Sequence, residues 1–583
     1  MRPVIPRLLL LLAALTLAAP AAAQPSRDIA ETDAALADTF TLQGVTATQP
    51  RRADGGYDWD WRGPRDDPEW AWFFNRHYAL ETACRAWRQT GDERYLDWIL
   101  ATLDDWVVTH PAPGRMSFSA AWRPLEAARR ILGPWTVLHE NLRDHAAFTP
   151  ERRERFLASA HAHGRQLRRH HARSGNHLIT EMLALAQLCL VFPGTKDTDE
   201  WLAYALGRLE HEYHAQVYPD GAYKELSTHY QRVVALNYQH LLDLLEQHGN
   251  PEDILRWRPY VKRLWAYLRA VQKPDGSNPV NNDSDRENIA ALLRAHAPRQ
   301  ASVPIETIAL PHAGQIVFRS GDPARPQWAF FDRGPHGTAH QHRDRLHFSL
   351  TLGLRDFLVD NGRYTYAPGP WRDYFAGPAG HNVLLLDGRG SEPGPDAINA
   401  IDPPTRLVLR EHWETAYGDA RFTTPGNPRA ADWRRIVINL RGDGWIVLDR
   451  VIAFTPQNLE TLWHWHPACE VRTTDADRLV VRHAEETLTV AFATGSRASL
   501  TQIRGAEHPA VQGWHSERFN QRAPATCTIA RQRLDGPVFN AWFFTPGGVA
   551  ATIRIDTTDA RRPTLILTRG DQTSELSIDL DDL

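Results

Sequence analysis

Residues Gly337 to Asp344 read GTAHQHRD, a His-x-His-x-Asp motif, and a further acid, Asp360, follows sixteen residues on in FLVDNGRY. On a β-strand, residues two apart point to the same side, so His340, His342 and Asp344 could converge on one spot. Such a spot could be a metal site, a catalytic base, or only a polar strand face. His381, in AGHNV, enlarges the set: His342, Asp360 and His381 supply two imidazoles and one carboxylate, a combination suited to Zn²⁺. Their separation requires three different strands to bring them together, because the sequence has no HExxH or other compact ligand pair.

Two other places hold residues capable of chemistry. In SGNHLITEMLALAQLCL, Leu178, Met182, Leu185 and Cys189 form one helix stripe, with Asn176 and His177 at its start. Asn176 suits a helix N-cap, and also a hydrogen-bond donor beside a substrate oxyanion. In YPDGAYKELSTHYQRVVALNY, Thr228 and Gln231 have capping-box spacing and Tyr230 falls in the first helical turn. A first-turn tyrosine ordinarily packs on its neighbours, whereas a catalytic one needs a nearby cation or donor to lower a phenol pKa of roughly 10. NNDSDREN carries Asp283 and Asp285 but lacks the glycine and terminal glutamate of a calcium loop, so a plain polar loop is expected there.

The elements that must position these groups change character along the chain. From about residue 68 to 300, apolar residues recur at helical spacing. Leu80, Ala83, Cys84 and Trp87, then Tyr95, Trp98, Ile99 and Trp106, flank a QTGDE turn and form a helical hairpin. Further helices are expected at 122–140, 151–172, 177–191, 200–216, 228–248 and 252–272. Many helices on short loops imply an α/α toroid, favoured over a regular repeat array because no fixed-length repeat is found. After about residue 305 the period becomes two: LHFSLTLG alternates Leu346, Phe348, Leu350 and Leu352, and RIVINLRGDGWIVLDRV reads as two strands about a GDG turn. The expected organisation is an α/α toroid over 24–304 and an antiparallel β-sandwich over 305–583, the boundary lying in the polar stretch 273–304.

The chain opens MRPVIPRLLLLLAALTLAAPAAAQPS, the layout of a secretory signal peptide over residues 1–23, and a periplasmic or secreted protein is expected. No later segment is apolar enough to span a membrane over the ~20 residues required. The formal charge of -4 becomes -6 once Arg2 and Arg7 leave, which excludes a basic nucleic-acid surface. Cys84, Cys189, Cys469 and Cys527 show no CxxC spacing, so neither a disulfide scaffold nor a thiolate zinc site is indicated, although export would permit a Cys469–Cys527 bridge. The 21 tryptophans offer flat faces that suit sugar rings as well as cores.

These segments together resemble the heparinase II/III superfamily of polysaccharide lyases, with WFFNRHYAL, TGDERY and WRPLEAARR most similar to its heparinase III branch. NHLITE, PDGAYKELSTHY, HQHRD, FLVDNGRY and AGHNV follow in the superfamily's order. The resemblance implies a toroid joined to a β-sandwich. It matches Asn176 to the asparagine that engages the uronate carboxylate and His177 to its companion histidine. Tyr230, ending the pattern E-x-S-x-x-Y from Glu225, matches the catalytic tyrosine. His340 matches the base candidate, a deprotonated Tyr230 being the alternative base depending on the uronate epimer, while His342, Asp360 and His381 match ligands of one divalent metal, zinc by its donor set and structural in role.

The implied reaction is β-elimination on an acidic polysaccharide, with heparan-sulfate-like glycosaminoglycan as the first expectation and alginate or another acidic exopolysaccharide as the alternative. Trp122, Arg129 and Tyr366 are the expected substrate-binding residues, and the RQLRRHHAR run at 165–173 is either part of a basic cleft or an ordinary charged helix face. Two other classes stay open. A glycoside hydrolase on the same toroid would need two carboxylates, from among Glu126, Glu181 and Glu225. A non-catalytic glycan-binding protein would keep the fold without the chemistry.

Overall fold

A computed structural model describes residues 24–113, 119–193, 197–297, 306–336, 339–393 and 404–583. The expected signal segment, residues 1–23, and the expected domain boundary at 304 lie outside the described residues. The chain forms two compact units, one of Met1–Ala215 with Asn237–Arg258 and the other of Gln216–Leu236 with Pro259–Leu583.

The first unit is helical. Tyr78–Thr90 and Glu93–Thr109 form the expected hairpin. Gly91, with φ +67°, ends the first helix, and the Asp92 side chain accepts the Arg94 N–H to start the second. The single helix expected over 122–140 is instead three pieces: Pro124–Arg130, a π-helical turn Ile131–Trp135, and Thr136–Leu142. Pro134 is the cause, since it has no N–H to donate inside the helix. Pro150–His170, Gly175–Val191 and Thr198–Gln216 follow as the spacing predicts. No helix among the described residues is long and apolar enough to cross a membrane.

The first unit also holds a short antiparallel hairpin of Thr39–Leu42 with Val45–Thr48, and the second carries the other strands of the described residues, all paired antiparallel. A five-stranded sheet, ordered as in sequence, runs from Ile308–Leu310 through Gln315–Asp322, Arg325–Asp332 and His347–Leu352 to Arg355–Leu358. An eight-stranded sheet has Asn427–Asn439, Trp445–Ala453 and Pro537–Pro546 among its strands. Alternation puts its two faces into different cores: Trp433, Val437, Trp445, Val447, Trp542 and Phe544 enter one, and Ile436, Ile438, Ile446, Leu448, Ala541 and Phe543 the other. The fold class is therefore the expected one, helices first and antiparallel sheets after.

Every residue of the strand His347–Leu352 is buried, so the alternating LHFSLTLG marks a strand covered on both sides. NNDSDREN, expected to be a plain polar loop, is not one, because Asn281, Asn282, Asp283 and Ser284 are almost wholly buried. Cys469 and Cys527 are free buried thiols, not a bridge; the Cys469 sulfur faces the Asp356 and Phe357 carbonyls and that of Cys527 the Thr528 carbonyl.

Candidate active site and metal centre

Tyr230 enters the site from the start of the helix Thr228–His248. The expected capping box does not form. Ser227 does the capping instead: its carbonyl accepts Gln231 N–H at 2.9 Å and its Oγ accepts Tyr230 N–H at 3.5 Å. Thr228 Oγ1 donates to the Pro279 carbonyl at 2.6 Å, and the Gln231 amide accepts Tyr223 N–H at 2.5 Å and donates to the Gly221 carbonyl at 2.9 Å. The helix start is thus locked to buried loops rather than closed on itself, which fixes the direction of Tyr230.

His340 and His342 do not share a strand. The segment 339–346 is turn and coil, ending where the strand His347–Leu352 begins, and His340 has φ +68°, in the left-handed region that bulky residues avoid. That departure from β geometry gives the two imidazoles separate tasks. The His340 ring stacks on Tyr230 at 4.0 Å between centroids and 24° between planes. Its Nδ1 lies 2.9 Å from Asp283 Oδ2, while His342 Nε2 lies 2.8 Å from Oδ1 of the same carboxylate. Asp283 is fully buried, and Arg372 completes its shell with Nη1 at 2.5 Å and Nη2 at 3.0 Å. Burial works against its charge, but His340, His342 and Arg372 outweigh it and hold the carboxyl well below the usual range.

A polar chain runs outward from Tyr230. Its hydroxyl meets that of Tyr366 at 3.1 Å, Arg363 Nη1 donates to Tyr366 at 2.8 Å, and Asp285 anchors Arg363 through bonds of 2.9 and 2.6 Å. Tyr366 is 40% exposed, with Phe519 5.4 Å away, so it presents an aromatic rim. Burial, and then the Tyr366 hydroxyl, push the Tyr230 phenol well above its ordinary value; the Arg363 cation acts in the opposite sense and loses.

His342, Asp360 and His381 are buried, and one donor atom from each lies within 4.8 Å of the others. His381 Nδ1 is 3.3 Å from Asp360 Oδ1, and the His342 and His381 rings are 5.3 Å apart. His342 Nδ1, both nitrogens of His381 and Asp360 Oδ2 are buried without hydrogen-bond partners. So many orphaned donor-set atoms converging in one place fit a bound cation. Neighbouring histidines do not compete. His347 is already satisfied, its Nδ1 accepting Asn382 N–H at 3.0 Å and its Nε2 meeting Ser349 Oγ at 2.7 Å.

The residues after Asp360 and His381 lock these ligands together. Asn361 Nδ2 donates to the Gly380 carbonyl at 2.7 Å, just before His381, and Asn382 Nδ2 donates to the Val359 carbonyl at 3.1 Å, just before Asp360. Each asparagine thus clasps the peptide preceding the other ligand. Asp344, by contrast, holds no partner role: its Oδ2 is a buried orphan, and burial followed by the Asp332 charge pushes its carboxyl upward.

A second group, His466, His515 and Glu517, also has donor atoms within 4.8 Å. Two of its three members have protein partners, while His515 Nδ1 is a buried orphan. Ala468 N–H donates to His466 Nδ1 at 3.2 Å, which puts that ring's proton on Nε2, 3.6 Å from Glu517, and Arg286 reaches Glu517 at 3.4 Å.

The remaining expected residues lie in the first unit. Asn176 is not a cap; Ser174 holds the N-cap position of Gly175–Val191, leaving half-buried Asn176 and exposed His177 in its first turn. Trp122 is only 2% exposed, its ring against His163 at 4.7 Å and Trp106 at 5.5 Å, so it has no open face for a sugar and is corrected to a core residue. Arg129 is half-buried, and burial lowers its pKa. Glu126 is taken up by Arg76 at 2.9 Å and Arg123 at 3.1 Å. In the 165–173 run, Arg168 is paired with Glu200 at 2.7 Å, while Arg165, Arg169 and Arg173 are exposed.

Comparison with known proteins decides the family. The model "Heparinase II/III N-terminus" matches residues 17–303, and "Heparinase II/III-like, C-terminal" matches 303–558. The chain belongs to the heparinase II/III family. Curated relatives of this chain include a heparin-sulfate lyase of Bacteroides stercoris, 23% identical over 515 residues, covering 80% of this chain and 74% of that one. Another, from Pedobacter heparinus, is 26% identical over 456 residues, covering 71% and 66%. Among solved structures, heparinase III aligns with TM-score 0.79 at 18% identity over 95% of this chain and 91% of that one. The heparan sulfate lyase HepC of Pedobacter heparinus aligns with TM-score 0.72 at 21% identity, covering 95% and 89%. Within this family fold, the sequence reading missed Asp283, Arg363, Asn361 and Asn382. Only the asparagine following each ligand, in DNG and HNV, was visible as a signal.

Proposed function

We infer that this protein is an exported polysaccharide lyase that cleaves a uronate-containing, heparan-sulfate-like glycosaminoglycan by β-elimination. One observation carries the reading: a phenol and an imidazole, Tyr230 and His340, stacked at 4.0 Å in a heparinase II/III chain whose curated relatives are heparin-sulfate lyases. In a uronate, C5–H lies α to a carboxylate and gains acidity only as that group's charge is neutralised. Elimination then needs a base for the C5 proton and an acid for the departing C4 oxygen. With its phenol pushed upward, Tyr230 keeps its proton and serves as the acid. His340, whose Nδ1 is engaged by Asp283, offers Nε2 as the base. The exposed Tyr366 ring is a platform for a sugar beside them. Neutralising the uronate carboxylate falls to Asn176 and His177 on the family pattern. His342, Asp360 and His381 would hold a divalent ion, zinc by donor type, whose contribution is to tie three chain segments together. Residues 1–23 have the layout of an export signal, so the mature protein would begin near Gln24.

The test is digestion of heparan sulfate, heparin and alginate, followed by ultraviolet absorbance of the C4=C5 product and product mass. Absorbance that rises with heparan sulfate supports the reading; cleavage without it points to hydrolysis instead. Tyr230→Phe should lower kcat by about 10²–10⁴-fold with thermal stability retained.

A further inference from the structure

We propose that Asp283 is a positioning residue serving two imidazoles at once, setting the tautomer of His340 for proton abstraction and that of His342 for metal ligation. The base half rests on the lyase reading above; the metal half does not. One buried carboxylate serves both. Its two oxygens meet His340 Nδ1 at 2.9 Å and His342 Nε2 at 2.8 Å, and the Arg372 fork on the same oxygens keeps it a carboxylate. A carboxylate only accepts hydrogen bonds, so both facing nitrogens must carry protons. The opposite nitrogens are then lone pairs. For His342 that nitrogen is Nδ1, the buried orphan among the metal-ligating atoms. For His340 it is Nε2, on a side chain 24% exposed beside Tyr230. The loop is built for this task. Asp283 N–H donates to the His340 carbonyl at 3.1 Å, Ser227 Oγ donates to the Asp283 carbonyl at 3.0 Å, and Asn282 Oδ1 accepts His342 N–H at 2.6 Å.

Asparagine is nearly isosteric with aspartate but presents one acceptor and one donor, so it satisfies only one of the two imidazole N–H groups. Facing the other ring, its amide N–H favours the opposite tautomer. The experiment uses full-length protein, Zn²⁺ as the metal, calorimetric zinc affinity and heparan sulfate kinetics. Asp283→Ala, which removes both acceptors, should weaken zinc binding by about 10–100-fold and lower kcat at least tenfold, with KM within a factor of about three. If the alanine protein does not fold, Asp283→Asn decides, and it should lose zinc affinity, kcat or both. An alanine variant that keeps either property, or an asparagine variant that keeps both, overturns the proposal. Wild-type protein that takes up no zinc overturns the metal half. Wild-type protein that binds zinc but never cleaves heparan sulfate removes the lyase reading and leaves the zinc result to decide the His342 half.

Discussion

Burial, then Tyr366 and the Asp283 charge raise the Tyr230 phenol, and they prevail over the Arg363 cation. Because Arg363 donates into Tyr366, the Tyr366 proton is free to point at Tyr230, leaving the Tyr230 proton for a leaving oxygen. Arg363→Gln should therefore lower kcat about tenfold or more while KM moves less, as steady-state rates on heparan sulfate would show. A rise in KM alone would make Arg363 a substrate contact instead. Glu225, which opens the pattern ending at Tyr230, gives a pH signature. Burial pushes its carboxyl up to about 7, against the opposing pull of His340. The folded state then holds that proton more tightly than the unfolded chain, whose carboxyl titrates near roughly 4.3, so stability falls as pH rises between those values and is level above. Glu225→Gln should raise the melting temperature relative to wild type at pH 8 and leave it nearly equal at pH 5. Parallel curves at both pH values would show that Glu225 is ionised at no cost.

At the scale of elements, the ligand geometry depends on the reciprocal clasp of Asn361 and Asn382 more than on any strand. Asn382 also donates to the Phe348 carbonyl at 2.9 Å and accepts His464 N–H at 2.6 Å, all in the buried interior. Removing it leaves those groups unsatisfied, so Asn382→Ala should cost roughly 2–4 kcal/mol and release bound metal, measured by denaturant unfolding and elemental analysis. Full metal content in that variant would mean the strands alone hold the ligands. Helices such as Thr228–His248 were legible because their apolar period is long. The strand pair Asn427–Asn439 and Trp445–Ala453 was legible because of its GDG turn. The loops that build the site were not, for two reasons. His340 sits at φ +68°, which the strand-like spacing of HQHRD conceals, and Asp283 is polar in a polar stretch, so nothing local shows that it is buried. Capping patterns misled likewise, because tertiary bonds from Thr228 and Gln231 outbid the local box.

For the whole molecule, the change of period near residue 305 separates the long helices from most strands, but compactness divides the chain differently, placing 216–236 and 259–297 with those strands. Helical periodicity reports which face of a helix is covered and not which unit covers it, so that division was not legible. One consequence is that Tyr230, Asp283, His340 and all three ligand residues belong to the second unit. A metal bound there stabilises only the state in which those segments have folded together, by about 4 kcal/mol when free metal exceeds its Kd a thousandfold. Calorimetry of zinc-loaded and chelator-treated protein should thus show the metal raising the melting transition by several degrees. His342→Ala should melt like the chelated protein whether or not zinc is added, because it deletes a ligand. If zinc shifts the variant as it shifts wild type, the ion sits elsewhere; if it shifts neither, the orphaned nitrogens and carboxylate of this buried cluster hold no zinc.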